Sequence, residues 1–170
     1  MEIKDYIKKL QDLNACITAV KWSRQFATSQ EAWDKCERGD WMLWLIGKMN
    51  DSKPYSDGRK PLVATSLRCV RLAWGRMPQA GKDCIVLHEK WVNGEAVTKE
   101  DLEVARNAAD ADAAVAVADA AVAAVDAAVA VADAAVAAAV SGILDGVTLK
   151  DCAGIVREDW PNIDIILEDK

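Results

Sequence analysis

Residues 111–138 read ADAAVAV, ADAAVAA, VDAAVAV and ADAAVAA, which are four copies of a seven-residue unit. Seven residues make two turns of an α-helix, so each repeated position forms a stripe along one side of the helix. Alanine has the highest helix propensity and compensates for the β-branched valines. The repeat therefore predicts a helix that is apolar on most sides. Its one acidic stripe is formed by Asp112, Asp119, Asp126 and Asp133.

Residues that favour helix termini mark both ends of this helix. Thr98 and Asp101 have the spacing of a capping box, with Asp in the place of the usual Glu. Gly142 can adopt the left-handed conformation that ends a helix. An unbroken helix between these points would be roughly 65 Å long, whereas a globular chain of this length has a radius of gyration of about 15–16 Å. The helix is therefore expected either to protrude or to be bent or broken.

The rest of the chain predicts shorter helices and no convincing pair of strands. Candidate N-caps are Asn14, Ser29 and Asp40, and Gly39 and Gly94 are candidate helix ends. The pattern thus predicts an all-α fold, a compact multi-helix domain around the long Ala/Val-rich helix. The expected parts of this single domain are a short-helix half (1–97), the long helix (98–142), and a C-terminal helix and tail (143–170).

The formal net charge of −6 is unevenly distributed along the chain. Residues 1–100 carry a net charge of +4 and residues 101–170 a net charge of −10, which indicates either two halves that neutralise each other or an interaction surface. An acidic protein is a poor general binder of nucleic acid, because that binding needs a basic face. Four Asp residues exclude the repeat from a lipid-exposed membrane span, and the N-terminal residues lack the apolar core of a signal peptide. We therefore expect a cytoplasmic protein.

Catalytic, cofactor and metal motifs are missing from the sequence. The five cysteines are odd in number and widely spaced, which predicts buried free thiols rather than disulfides or a zinc site. His88 and Glu89 are adjacent on a predicted helix and would not face each other, so His88 is expected to be a surface or half-buried side chain. The expected protein is not an enzyme and needs no cofactor or metal.

Two groups of residues are candidates for binding. The Asp stripe is either a solvated or internally paired face of its helix, or a recognition surface for a basic partner. Trp33, Arg38, Trp41 and Trp44 lie close together in the sequence. Tryptophan is enriched both in cores and in binding hot spots, so these residues predict either a helix–helix corner in the core or a contact surface.

The segment AWDKCERGDWMLWLIGK, residues 32–48, resembles the A-W-x-x-C-x-R-G-D-W-M-L-W-L segment of a family of bacterial and phage immunity proteins. Ala15-Cys16 with Trp22, the W-x-x-G-E-A-V-T segment from Trp91, and the C-A-G-I-V-R segment from Cys152 resemble further segments of that family. The Ala-rich repeat lies between the last two, as it does in the family, but carries Val and Asp where relatives often carry Tyr or Arg. The resemblance implies a small helical protein that binds and neutralises another protein, without catalytic residues.

These observations predict an immunity-like or phage counter-defence inhibitor that acts by stoichiometric binding to a target protein, such as a toxin or a defence component. A second hypothesis is a sponge for a signalling nucleotide or another small anionic ligand, with Arg68, Arg71 and Trp74 as its pocket. A third is a structural module that forms homo-oligomers through the Ala-rich helix. A basic, Trp-lined pocket would favour the sponge, and an exposed acidic or Trp face would favour the inhibitor.

Overall fold

The computed structural model describes residues 1–50, 53–113 and 149–168. Within these ranges the chain forms nine α-helices and two short 3-10 helices, and it contains no strand beyond an isolated bridge between Glu2 and Thr28. The prediction of an all-α fold is confirmed for this part of the chain. The helices are α1 (Ile3–Asp12), α2 (Ile17–Ser23), α3 (Ser29–Lys35), α4 (Gly39–Met49), α5 (Lys60–Arg71), α6 (Gln79–Val92), α7 (Lys99–Ala113), α8 (Leu149–Asp159) and α9 (Ile163–Glu168).

Two clusters of buried side chains hold these helices together. The first joins α1–α4 to α8 and α9, with Trp33, Met42 and Ile46 among its most buried members. The second joins α5, α6 and α7. Helix α5 contributes to both, because Leu62 belongs to the first cluster and Val63 to the second. The α5 helix therefore lies between the two clusters.

The N-terminus of α7 is the capping box that the sequence predicts. The Thr98 hydroxyl accepts a hydrogen bond from the Asp101 backbone N–H at 3.1 Å, and the Asp101 carboxylate accepts one from the Thr98 backbone N–H at 3.0 Å. Each side chain thus satisfies a backbone donor that the first helical turn leaves free. The remainder of the predicted long helix, from residue 114 to its expected end at Gly142, lies outside the described residues.

Removing this cap should destabilise the protein. Thr98→Ala removes the acceptor for the Asp101 backbone N–H, and an N-cap of this kind contributes about 1 kcal/mol to the free energy of unfolding. We expect a loss of that size in urea denaturation, and near wild-type stability for Thr98→Ser, which keeps the hydroxyl. Equal losses in the two variants would show that the methyl group, and not the cap, is what matters.

Three of the predicted helix boundaries are wrong. Asn14 does not cap α2, because it adopts a positive φ of 60° after α1, and the Cys16 thiol accepts the cap hydrogen bond from Ala19 instead. Thr28, and not Ser29, caps α3. Gly39 begins α4 rather than ending the preceding helix, so Asp40 lies inside the first turn of α4. In contrast, α6 is followed by Gly94 at φ +81°, a conformation that favours glycine, as predicted.

Candidate functional site

Helices α1 to α4 enclose a pocket of about 300 Å³, which we call the tryptophan pocket. Its lining is mostly apolar and contains four of the seven tryptophans of the chain. The lining residues are Tyr6, Leu10, Asn14, Ala15, Cys16, Ala19, Trp22, Ser23, Ala32, Trp33, Cys36, Trp41, Met42, Trp44 and Leu45. Pockets of this size and apolarity are typical of sites for small molecules or for an anchoring side chain of a partner.

The tryptophans of the pocket differ in burial. Trp33 is only 2% exposed, and its indole N–H donates to the Trp160 carbonyl at 2.8 Å, which ties α3 to the end of α8. Trp22, Trp41 and Trp44 are half-buried. The rings of Trp22 and Trp41 meet edge to face, with centroids 6.0 Å apart. Trp33 is therefore a core residue that also lines the pocket, whereas the other three present partly free ring surface.

Arg38 packs against Trp41, one of the pocket-lining tryptophans, and its charge is neutralised by Asp40. Its guanidinium lies 4.6 Å from the ring centroid of Trp41 and donates two hydrogen bonds to the fully buried carboxylate of Asp40, at 2.8 and 2.5 Å. A buried carboxylate needs such a partner, because an unpaired charge in a protein interior is strongly unfavourable. Arg38 thus packs against Trp41, and the Asp40 carboxylate neutralises the charge of Arg38.

The sequence predicted Trp33, Arg38, Trp41 and Trp44 as candidates, and the structure brings all four together. It adds Trp22 and Tyr6, which the sequence analysis did not select as binding residues. Ala15, Cys16 and Trp22, the early residues on which the family resemblance rests, all line the pocket. That motif singled out Trp22, but nothing in the sequence connected it to the tryptophans of α3 and α4.

The acidic stripe remains a prediction. Asp112 falls in the last turn of α7, and the other three members, Asp119, Asp126 and Asp133, lie outside the described residues. The proposed homo-oligomer contact through the Ala-rich helix concerns the same segment.

Both arginines of the second predicted pocket are paired with carboxylates of the protein. Arg68 pairs with Glu158 and Asp159 of α8. Arg71 donates to the Glu89 carboxylate at 2.7 and 2.5 Å, and its guanidinium stacks 3.8 Å from the Trp74 ring centroid. Arg71 and Trp74 therefore do meet, but a bound anion would have to displace protein carboxylates from both arginines.

Four of the five cysteines are buried as predicted, and Cys16 is exposed. The expectation that Cys16 is buried is wrong: it precedes the first turn of α2, lines the pocket and is exposed. Burial raises the pKa of the Cys36 thiol to about 11. Cys36 is therefore protonated at neutral pH and is a weak nucleophile.

His88 is also more buried than expected, with 2% of its surface exposed. Its Nδ1 lies 2.9 Å from the Cys84 carbonyl, while Glu89 faces away and pairs with Arg71. Burial lowers the pKa of His88 below its usual value, and the nearby charge of Arg106 lowers it further. His88 is thus a neutral structural side chain that does not line the tryptophan pocket.

This lowered pKa predicts a loss of stability in mild acid. The unfolded chain binds a proton at His88 near pH 6.5, whereas the folded chain resists it, so stability is retained above pH 6.5 and falls as the pH drops below that value. Urea denaturation at pH 7.5 and 5.5 should show a larger decrease for the wild type than for His88→Gln, which cannot titrate. An identical decrease in the two proteins would contradict the burial of a neutral imidazole.

Within the described residues, no group of three or more His, Cys, Asp or Glu side chains is placed to hold a metal ion. None of the helices described combines the length and apolarity that crossing a bilayer requires.

The fold and the site define an all-α protein with an apolar, tryptophan-lined pocket between its first four helices. No family model, curated protein or solved structure matches the chain.

Proposed function

We propose that the protein is a non-enzymatic binding protein that acts by stoichiometric binding to a target protein, as an immunity-like or phage counter-defence inhibitor. The observation that carries this proposal is the tryptophan pocket. Three half-buried indoles line this apolar cavity, and both tryptophans and pockets that take an anchoring side chain are typical of the energetic centre of a protein interface. The target would insert an apolar side chain into this cavity.

The surface next to the pocket fits an interface as well. Ile17 follows the pocket-lining Cys16 directly and is 72% exposed, the highest value among the large apolar side chains that the structure describes as exposed. A single exposed aliphatic residue is ordinary, but one beside an apolar cavity extends the apolar surface that a partner could cover. Ile17 and the three half-buried tryptophans would form the centre of the contact.

The chemistry of the pocket favours binding over catalysis. Its lining contains no carboxylate, imidazole or amine, and the Cys36 thiol is protonated at neutral pH. A general acid or base, or an activated nucleophile, is what enzymatic group transfer needs. The lining instead offers apolar area and aromatic rings.

The sponge hypothesis has weaker support. An anionic ligand would lose its hydration in the tryptophan pocket without gaining a free cation, and Arg68 and Arg71 are already paired with carboxylates. The pocket is lined with tryptophan, but it is not basic.

The proposal is tested by capturing proteins from a lysate with the pocket open, in the wild type, or filled by a bulky side chain. Wild-type protein and Ala15→Phe, which fills the pocket from its half-buried rim, are immobilised and exposed to lysate of the source cells. Ala108→Phe on the exposed surface of α7 is the matched control. A protein retained by the wild type and the control, but lost with Ala15→Phe, should then bind one-to-one in calorimetry. Retention of the same proteins by all three baits would refute the proposed role of the pocket.

A further inference from the structure

Tyr6 brings a phenol hydroxyl to the wall of the tryptophan pocket. The Tyr6 side chain is 6% exposed, and its hydroxyl makes no hydrogen bond with any described residue. Burial raises the pKa of the Tyr6 phenol far above neutral pH, so the hydroxyl stays protonated and can both donate and accept. Because this hydroxyl pairs with no described residue, it is available to an occupant that carries a hydrogen-bonding atom.

The walls of the pocket favour an aromatic occupant. Trp22 and Trp41 already pack edge to face, and aromatic rings gain further stabilisation from that geometry beyond the area that they bury. An engineered protein cavity of about 150 Å³ takes one benzene ring. A pocket of about 300 Å³ therefore has room for two fused rings.

The charges near the pocket favour a neutral occupant. The guanidinium of Arg38 is neutralised by Asp40, and the Lys48 ammonium lies 6.0 Å from the Trp44 ring centroid, outside the cavity lining. A charged group entering the pocket would lose its hydration and would find no free opposite charge in the lining.

We infer that the tryptophan pocket binds a neutral system of two fused aromatic rings whose edge carries one hydrogen-bonding atom, which pairs with the Tyr6 hydroxyl. The inference rests on the proposed function, in which this group is an aromatic side chain of the target. A free small molecule of the same chemistry is the other source, and the experiment separates the two.

The test titrates the full chain with defined probes and follows binding by calorimetry. Indole carries the rings and an N–H donor, 1-methylindole lacks the donor, and cyclohexanol has a hydroxyl but no aromatic ring. N-acetyl-tryptophanamide presents the same indole on a peptide backbone. We expect indole to bind about fivefold more tightly than 1-methylindole, which corresponds to one ordinary hydrogen bond, and cyclohexanol to bind more weakly than either.

Three variants assign the binding to this site. Tyr6→Phe keeps the ring and removes the hydroxyl, so it should still bind both indoles but lose the preference between them. Tyr55→Phe removes the hydroxyl of the other tyrosine, which is not part of the pocket lining, and should keep the preference. Ala15→Phe should abolish binding of every probe, while thermal denaturation checks that all three variants are folded.

The outcomes distinguish this inference from the proposed function. Failure of indole to bind, equal affinity for cyclohexanol, or an unchanged preference in Tyr6→Phe would overturn the inference, even if a captured target still depends on an open pocket. Binding of both indole and N-acetyl-tryptophanamide supports a side chain as the source. Binding of indole alone supports the ring chemistry with a free molecule as its source, and the proposed function then depends on the capture experiment alone.

Discussion

Gly39→Ala should destabilise the protein by about 3 kcal/mol, the upper part of the range for overpacking a close contact. A Cβ atom at Gly39 would lie 2.5 Å from the Cys152 Cβ and 2.7 Å from the backbone nitrogen of Ala153. Backbone atoms cannot rotate away as a flexible side chain can, so α4 and α8 would have to separate. Urea denaturation followed by circular dichroism measures the loss.

A matched control lies on the opposite helix of the same contact. An alanine Cβ at Gly154 of α8 would meet no atom within 4 Å. Gly154→Ala should therefore stabilise the protein by roughly 0.5–1 kcal/mol, because alanine favours the helix and restricts the unfolded chain. A loss below about 1 kcal/mol for Gly39→Ala would mean that the two helices do not approach each other closely.

Trp33→Ala should cost about 3–5 kcal/mol, the range for truncating a buried aromatic side chain. The substitution empties volume in the core and also removes the N–H that satisfies the Trp160 carbonyl. Trp44→Ala, at a half-buried position of the same pocket, is the comparison and should cost clearly less. Both variants are measured by denaturation and by capture of the target.

The pair of variants separates the structural and binding roles of the tryptophans. We expect Trp44→Ala to stay folded and to weaken capture of the target, and Trp33→Ala to lose stability first. Equal losses of stability would show that Trp44 is a core residue like Trp33. If a folded Trp44→Ala variant captured the target as well as the wild type, Trp44 would not be part of the proposed contact.

Local signals in the sequence predicted much of the helical fold. The capping box at Thr98 and Asp101 and the turn at Gly94 depend on neighbouring residues alone, and both are present as predicted. The role of Gly39 depends on α8, more than a hundred residues away in the sequence. A glycine before an Asp therefore suggested a helix end. In the structure Gly39 lies instead in the first turn of α4, where its lack of a side chain allows α8 to pack closely.

The candidate site was predictable only in part, because it too depends on contacts between helices that are separated in the sequence. The closely spaced Trp33, Trp41 and Trp44 indicated a cluster, but their spacing does not distinguish a filled corner from an open pocket. The pocket exists because α1 and α2 contribute Tyr6 and Trp22 from the opposite side. The sequence predicts short helices in this region but does not indicate which helix Tyr6 and Trp22 face.

Because the cysteines differ in burial, the rate at which each thiol is modified reports how readily the protein opens around it. Cys16 is open to reagents, whereas the other four thiols are enclosed. A thiol reagent should therefore modify the native protein once and quickly, and should reach the remaining sites only as fast as the helices around them open. Successive additions in a mass spectrum would thus give the rates at which the core opens. A dye on Cys16, which lines the tryptophan pocket, would report whether the pocket is occupied.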